Sequence, residues 1–225
     1  MTFSGFDRAS LALLAELPSW SADEFAAHKR QLRDGVSGPG RALITDVAAR
    51  LDADLTVEPR ASVSPLHRDL RFAPAGSARY KDHLLLTTWE GADKRTSPTL
   101  WIRIDARRAG FASGLSFTPA LRTRWRAAVG SNNGSTLATE LDHLTGRRRA
   151  EVAGERTKSV PAPYRADHPR AELLRLTGFQ VRFSDELPGS ISGPRSVDWC
   201  TERLDELLPV HRWLVAYISA PNAKE

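Results

Sequence analysis

At 225 residues, 41% apolar and 26% charged, the chain has the make-up of a globular protein that can bury a core without metal or disulfide staples. No run of about 18 apolar residues exists, which excludes a membrane span, and a single cysteine, Cys200, excludes an internal disulfide and points to a reducing compartment, the cytoplasm. The formal charge is +5 with a pI near 9.8, and only five of the 32 basic residues are lysine, leaving 27 arginines. Arginine is the better bidentate partner for phosphate and carboxylate, although a solvated surface accounts for the same excess.

In chain order, Asp7 is placed to cap a helix with Leu11, Leu14 and Leu17 as its apolar stripe and Pro18 as its stop. The run Leu11 to Ala15 is too short, and too closely flanked by Asp7 and Glu16, for a signal peptide. Ser21-Ala22-Asp23-Glu24 spells a capping box, and Phe25, His28 and Leu32 follow at helical spacing. Gly38-Pro39-Gly40 interrupts or restarts the helix, and Leu43, Val47 and Leu51 mark the next one.

From about Ala61 to Thr118 the pattern changes to strands. Leu84 to Trp89 and Leu100 to Ile104 are rich in aliphatic, β-branched and aromatic residues, and a third strand is expected over Phe111 to Phe117, after a turn at Arg108 to Gly110. Pro119 to Ala128 reads as helix, Gly130 to Ser135 as loop, and Leu137, Leu141 and Leu144 as a further helical stripe. Arg147 to Pro163 reads as a basic, mobile loop. Glu172 to Thr177 is expected to be helical and Phe179 to Phe183 extended, before two C-terminal helices separated at Pro209. The expected architecture is α+β, a mainly antiparallel central sheet flanked by N-terminal and C-terminal helices, with 1–220 as one domain and 221–225 as a short tail.

The densest chemistry lies in His67-Arg68-Asp69-Leu70-Arg71-Phe72 and Tyr80-Lys81-Asp82, all within sixteen residues. Read as an extended segment, Arg68, Leu70 and Phe72 face one way, and His67, Asp69 and Arg71 the other. His67 beside Asp69 could serve as an acid–base pair, although the same spacing is an ordinary surface contact and no nucleophile is tied to it. His67-Arg68-Asp69-Leu70 also spells the start of a kinase catalytic loop, but Pro74 stands where that loop needs asparagine and no Gly-rich phosphate loop is present.

The same residues carry a resemblance. Arg68-Asp69-Leu70-Arg71-Phe72 with Tyr80-Lys81, Gly154-Glu155-Arg156-Thr157-Lys158-Ser159-Val160-Pro161 and Asp167-His168-Pro169 resemble the signature of the DUF2461 family, and Gly5-Phe6, Leu208-Pro209 and Trp213-Leu214 match its two ends. The resemblance implies a single α+β domain and no established activity. The chain departs from the pattern at Arg79, where a proline is usual, in lacking a lysine between Phe72 and Tyr80, and at Thr177-Gly178-Phe179.

If the two basic blocks converge, Arg68, Arg71, Lys81 and Lys158 with His168 and Tyr80 would bind an anion, and Asp69 would hold Arg71 in place. The alternative is a structural ion-pair lattice. An acid–base role for His67 with Asp69, or for His168, is the enzymatic reading. Arg122, Arg124 and Arg126 around Trp125, with Arg147-Arg148-Arg149, are the residues a nucleic-acid binder would use, though no recognisable motif is present. The histidines are scattered, so no metal and no cofactor is expected. An anionic small molecule or acidic partner is the expectation, ahead of nucleic acid.

Overall fold

The structure, a computed structural model, describes residues 2–219, the side chain of Phe72 excepted. The expected tail at 221–225 lies outside the described residues. Helix α1 (Arg8–Ala12) starts where the Asp7 carboxylate accepts from the Ala9 and Ser10 N–H groups. Helix α2 (Ala22–Leu32) carries the full capping box, with Glu24 N donating to Ser21 Oγ and Ser21 N to Glu24 Oε2. The Gly-Pro-Gly run restarts the helix: a widened π turn over Arg33–Ser37 leads into α3 (Gly38–Ala48). Gly40 lets α3 approach the sheet closely, because a Cβ would stand 2.5 Å from Leu84 Cδ2 and displace that side chain.

Strands β1 (Leu84–Trp89), β2 (Thr99–Ile104) and β3 (Arg108–Ser116) form an antiparallel meander. Helices α4 (Pro119–Gly130) and α5 (Asn133–Arg148) follow, then β4 (Glu151–Ala153), α6 (Ala171–Leu174) and β5 (Gly178–Glu186). Helices α7 (Ser196–Asp205) and α8 (Leu208–Tyr217) close the described chain. The sheet order is β1-β2-β3-β5-β4, antiparallel throughout.

Alternation along the strands divides the sheet into two unlike faces. Leu84, Leu86, Ile102, Phe111, Val181 and Phe183 point into the core. There Gly40 of α3 meets Leu84, Trp199 of α7 meets the Phe111 ring at 5.3 Å, and His211 of α8 meets Ser113. The helices that contact the sheet therefore lie on one side. The other face carries Leu85, Trp101, Arg103, Gly110, Arg182 and Ser184 and remains open over much of its area.

Four local expectations need correction. The turn before β3 falls at Asp105–Arg107, where the Asp105 carboxylate collects the Arg107 and Arg108 N–H groups, so Arg108 to Gly110 already belong to the strand. The loop expected over Gly130 to Ser135 shrinks to two residues, Ser131 and Asn132, and the Arg170 guanidinium spans it, donating to Val129 O, Ser131 O and Ser135 Oγ. The basic stretch after Arg147 contains β4, which pairs Glu151 with Arg182 at the sheet edge. The helix read over Glu172 to Thr177 is only α6, and Arg156 bridges Leu176 in place of its last turn.

Candidate functional site

The open face forms a hollow of about 720 Å³ whose floor is Trp101, Gly110 and Ala112. Its position follows from register: Trp101 pairs with Ala112, Arg103 with Gly110, and Gly110 with Ser184. Small residues in the central strand leave a trough between side chains rising from β2 and β5. A Cβ built on Gly110 would meet nothing nearer than 3.7 Å, so the glycine supplies room rather than relief from a clash. At the far end the face is closed by Lys94, whose Nζ donates to Ala61 O and lies over the Trp89 ring at 5.7 Å.

Five arginines line the hollow (Arg103, Arg108, Arg148, Arg149, Arg182) against a single carboxylate, Glu151. Three of the five are matched by acids. Arg103 pairs with Asp105 at 3.0 Å and Asp82 at 3.2 Å, Arg182 with Glu151 at 3.2 Å, and Arg148 with Glu206 and, at 3.7 Å, Asp185. Arg108 donates to the neutral Ser184 carbonyl and hydroxyl, at 3.2 and 2.8 Å. Arg149, in the left-handed conformation at the end of α5, is exposed; its backbone N–H donates to Thr145 O, and its guanidinium has no hydrogen bond or ion pair among the described residues. Arg149 stands two residues before Glu151, which pairs with Arg182, so Arg108 and Arg149 line one hollow as its two guanidiniums without acid partners among the described residues.

On the β1 side His83 lines the same hollow, its Nδ1–H donating to Asp82 at 2.5 Å. Burial lowers its pKa from the ordinary value, against the opposing pull of that hydrogen bond. Lys81 donates to Pro65 O at 2.9 Å, and its pKa is lowered by burial and then by the charge of Arg68. Lys81 in turn lowers the His83 pKa through its charge, but neither Lys81 nor Arg68 lines the hollow, and Arg68 donates to Ala78 O.

The other expected site residues lie elsewhere. The extended reading of His67 to Phe72 ends at Asp69, because its carboxylate accepts the Arg71 N–H and folds Leu70–Phe72 into a 3-10 turn. Arg71 also forks onto Asp69 at 3.0 and 2.8 Å, an exposed pair on the outside of the turn. His67 pairs with Tyr80 across a bridge and packs on the Phe25 and Tyr80 rings; among the described residues it makes no hydrogen bond to Asp69. Tyr80 is buried and stacked on Phe25 at 4.3 Å, a core role rather than a ligand contact.

The two basic blocks do not converge. Residues 62–81 run along the outer edge of β1, with Val63 bridging Leu86, whereas Lys158 and His168 belong to the segment between β4 and β5. Those edges are four strand spacings, about 19 Å, apart. Lys158 is exposed, and His168 Nδ1 accepts the Arg170 N–H at 3.0 Å, which turns the chain into the Arg170 clamp.

Trp125 is also no nucleic-acid platform: it is fully buried, donates to Leu173 O at 2.8 Å and packs on Phe179, while Arg124 donates to Ser219 O. Ser113, His211 and Glu90 line up like a nucleophile, base and orienting acid, at 3.5 and 3.3 Å. Ser113 and His211 are fully buried, so no substrate reaches them, and the trio ties α8 to the sheet. Cys200 is buried too, and burial pushes its thiol up to about 12, which keeps it unreactive. Among the described residues no three histidine, cysteine or acidic side chains cluster as a metal site, and no helix is long and apolar enough to cross a membrane.

The signal that locates the hollow was present in the strands. Trp101 and Arg103, then Gly110 and Ala112, then Gln180, Arg182 and Ser184 each alternate with core residues. Only strand order and register show that these three half-patterns share a face. A comparison with curated proteins finds no match. The family model described as a conserved hypothetical protein, DUF2461, matches residues 20–213, and the chain belongs to that family.

Proposed function

We propose that this protein binds an anionic ligand, bearing phosphate or carboxylate, in the arginine-lined hollow on the open face of its sheet. The supporting observation is that Arg108, which donates to the Ser184 hydroxyl, and Arg149 both line the hollow without a carboxylate partner among the described residues. A guanidinium offers a planar fork of donors that matches phosphate or carboxylate oxygens, and two of them exceed what one acid could neutralise. The remaining arginines are held by Asp82, Asp105, Glu151 and Glu206, so they form a fixed wall rather than a set of mutually repelling charges. The compartment assumed is the cytoplasm, where the free Cys200 thiol stays reduced.

The test is thermal unfolding at low ionic strength with pyrophosphate or citrate, each in excess. A ligand at a hundred times its Kd adds about 2.7 kcal/mol, which for a chain of this size raises Tm by about 5–10 °C. The double variant Arg108→Gln with Arg149→Asn should lose that rise while melting near the parent temperature without ligand; asparagine suits the left-handed backbone at 149. Failure of either anion to raise Tm, or an undiminished rise in the double variant, would refute the reading.

A further inference from the structure

Resting on that reading, we infer that the anion is a nucleotide, its phosphates held by Arg108 and Arg149 and its flat ring on Trp101. Three observations lead there. First, the hollow's volume of about 720 Å³ lies within the roughly 300–1,000 Å³ usual for small-molecule sites and far exceeds what one phosphate needs.

Second, Arg108 at Ser184 and the aromatic floor are separate. Trp101 pairs with Ala112 on β3, two residues from Gly110, and Gly110 pairs with Ser184 on β5. Two strand spacings and two residues along the strand put the Trp101 and Ser184 backbones about 12 Å apart. A ligand using both must carry a planar group at a distance from its charge, as a nucleoside diphosphate or triphosphate does.

Third, the face offers one platform. Trp101 stands half-exposed beside Gly110 and Ala112, whereas Trp89 on the same face is sealed beneath Lys94. Single-stranded nucleic acid is held by a succession of aromatic platforms along a groove. One platform with two unneutralised guanidiniums fits a single nucleotide better than a strand. No covalent step is implied.

The experiment is calorimetric titration of the full chain with pyrophosphate, ADP and an oligothymidylate octamer. ADP should bind about 5- to 100-fold more tightly than pyrophosphate, the range that stacking one base confers. Trp101→Leu should bring ADP down to the pyrophosphate value and leave pyrophosphate unchanged. Trp101→Phe, which keeps a ring, should restore most of the difference and guards against a folding defect. An ADP affinity no better than that of pyrophosphate would overturn the nucleotide assignment and leave the anion site standing. So would an ADP preference that survives Trp101→Leu, or an octamer that binds more tightly than ADP and weakens steeply with salt. If neither pyrophosphate nor ADP binds, the anion site falls as well.

Discussion

An arginine in this protein is defined by what its guanidinium meets. Arg170 meets three acceptors around the α4–α5 turn and is structural; Arg149 meets none among the described residues and is available. Arg148 lies between these extremes, forked onto Glu206 and standing 5.6 Å from the Phe183 ring centre. That fork holds the Glu206 carboxyl below its ordinary value of 4.5, against the opposing effect of burial. The folded state therefore binds fewer protons than the unfolded state near that pH, and stability rises with pH there. The stabilisation is fully present above about pH 4.5 and is lost as pH falls through the lower folded-state value. Urea unfolding of the parent between pH 6 and pH 3 should show this loss, and Arg148→Gln should flatten that part of the curve.

At the scale of elements, two short-range devices decide where the chain turns and where it leaves room. The α4–α5 corner is so tight that a Cβ on Gly134 would lie 2.1 Å from Val129 O, and Arg170 stitches it from outside. Arg170→Ala removes a charge-assisted hydrogen bond to the partly buried Val129 O, with two exposed ones, and should cost about 1.5–3 kcal/mol in urea unfolding. Gly134→Ala should cost at least as much, because the obstacle is backbone. In β3 the glycine at 110 has the opposite meaning. A Cβ at 110 meets nothing nearer than 3.7 Å and lies on the hollow's floor, so Gly110→Leu should leave Tm nearly unchanged and abolish any anion-induced rise. A fall of several degrees without ligand would show that Gly110 serves the fold instead.

At the scale of the molecule, both ends of the described chain are needed for one core. Phe3 and Phe6 share a hydrophobic cluster with Leu214 and Ile218, while α3 and α7 pack on each other and on the sheet. No long segment can leave without exposing the core of another. Tryptophan fluorescence and far-ultraviolet circular dichroism should therefore report coincident unfolding midpoints. Two separated midpoints would show that the chain is not one cooperative unit.

The α+β class, most helix starts and the apolar faces of the strands could all be read from the amino-acid order. Those features depend on neighbours a few residues apart: Asp7 and Ser10, Ser21 and Glu24, Phe179 and Val181. Family membership was legible for the same reason, since its motifs are contiguous. The arginine-lined hollow was not. His67 to Lys81 is dense in charge because the chain is locally crowded there, yet Asp69 turns that segment outward and Lys158 lies at the opposite sheet edge. The hollow gathers Arg103, Arg108, Arg149 and Arg182 from separate strands and a helix end, and the sequence links none of them to another across those elements. Strand order and register bring them together, and those are set by pairing between distant segments, which no local pattern encodes.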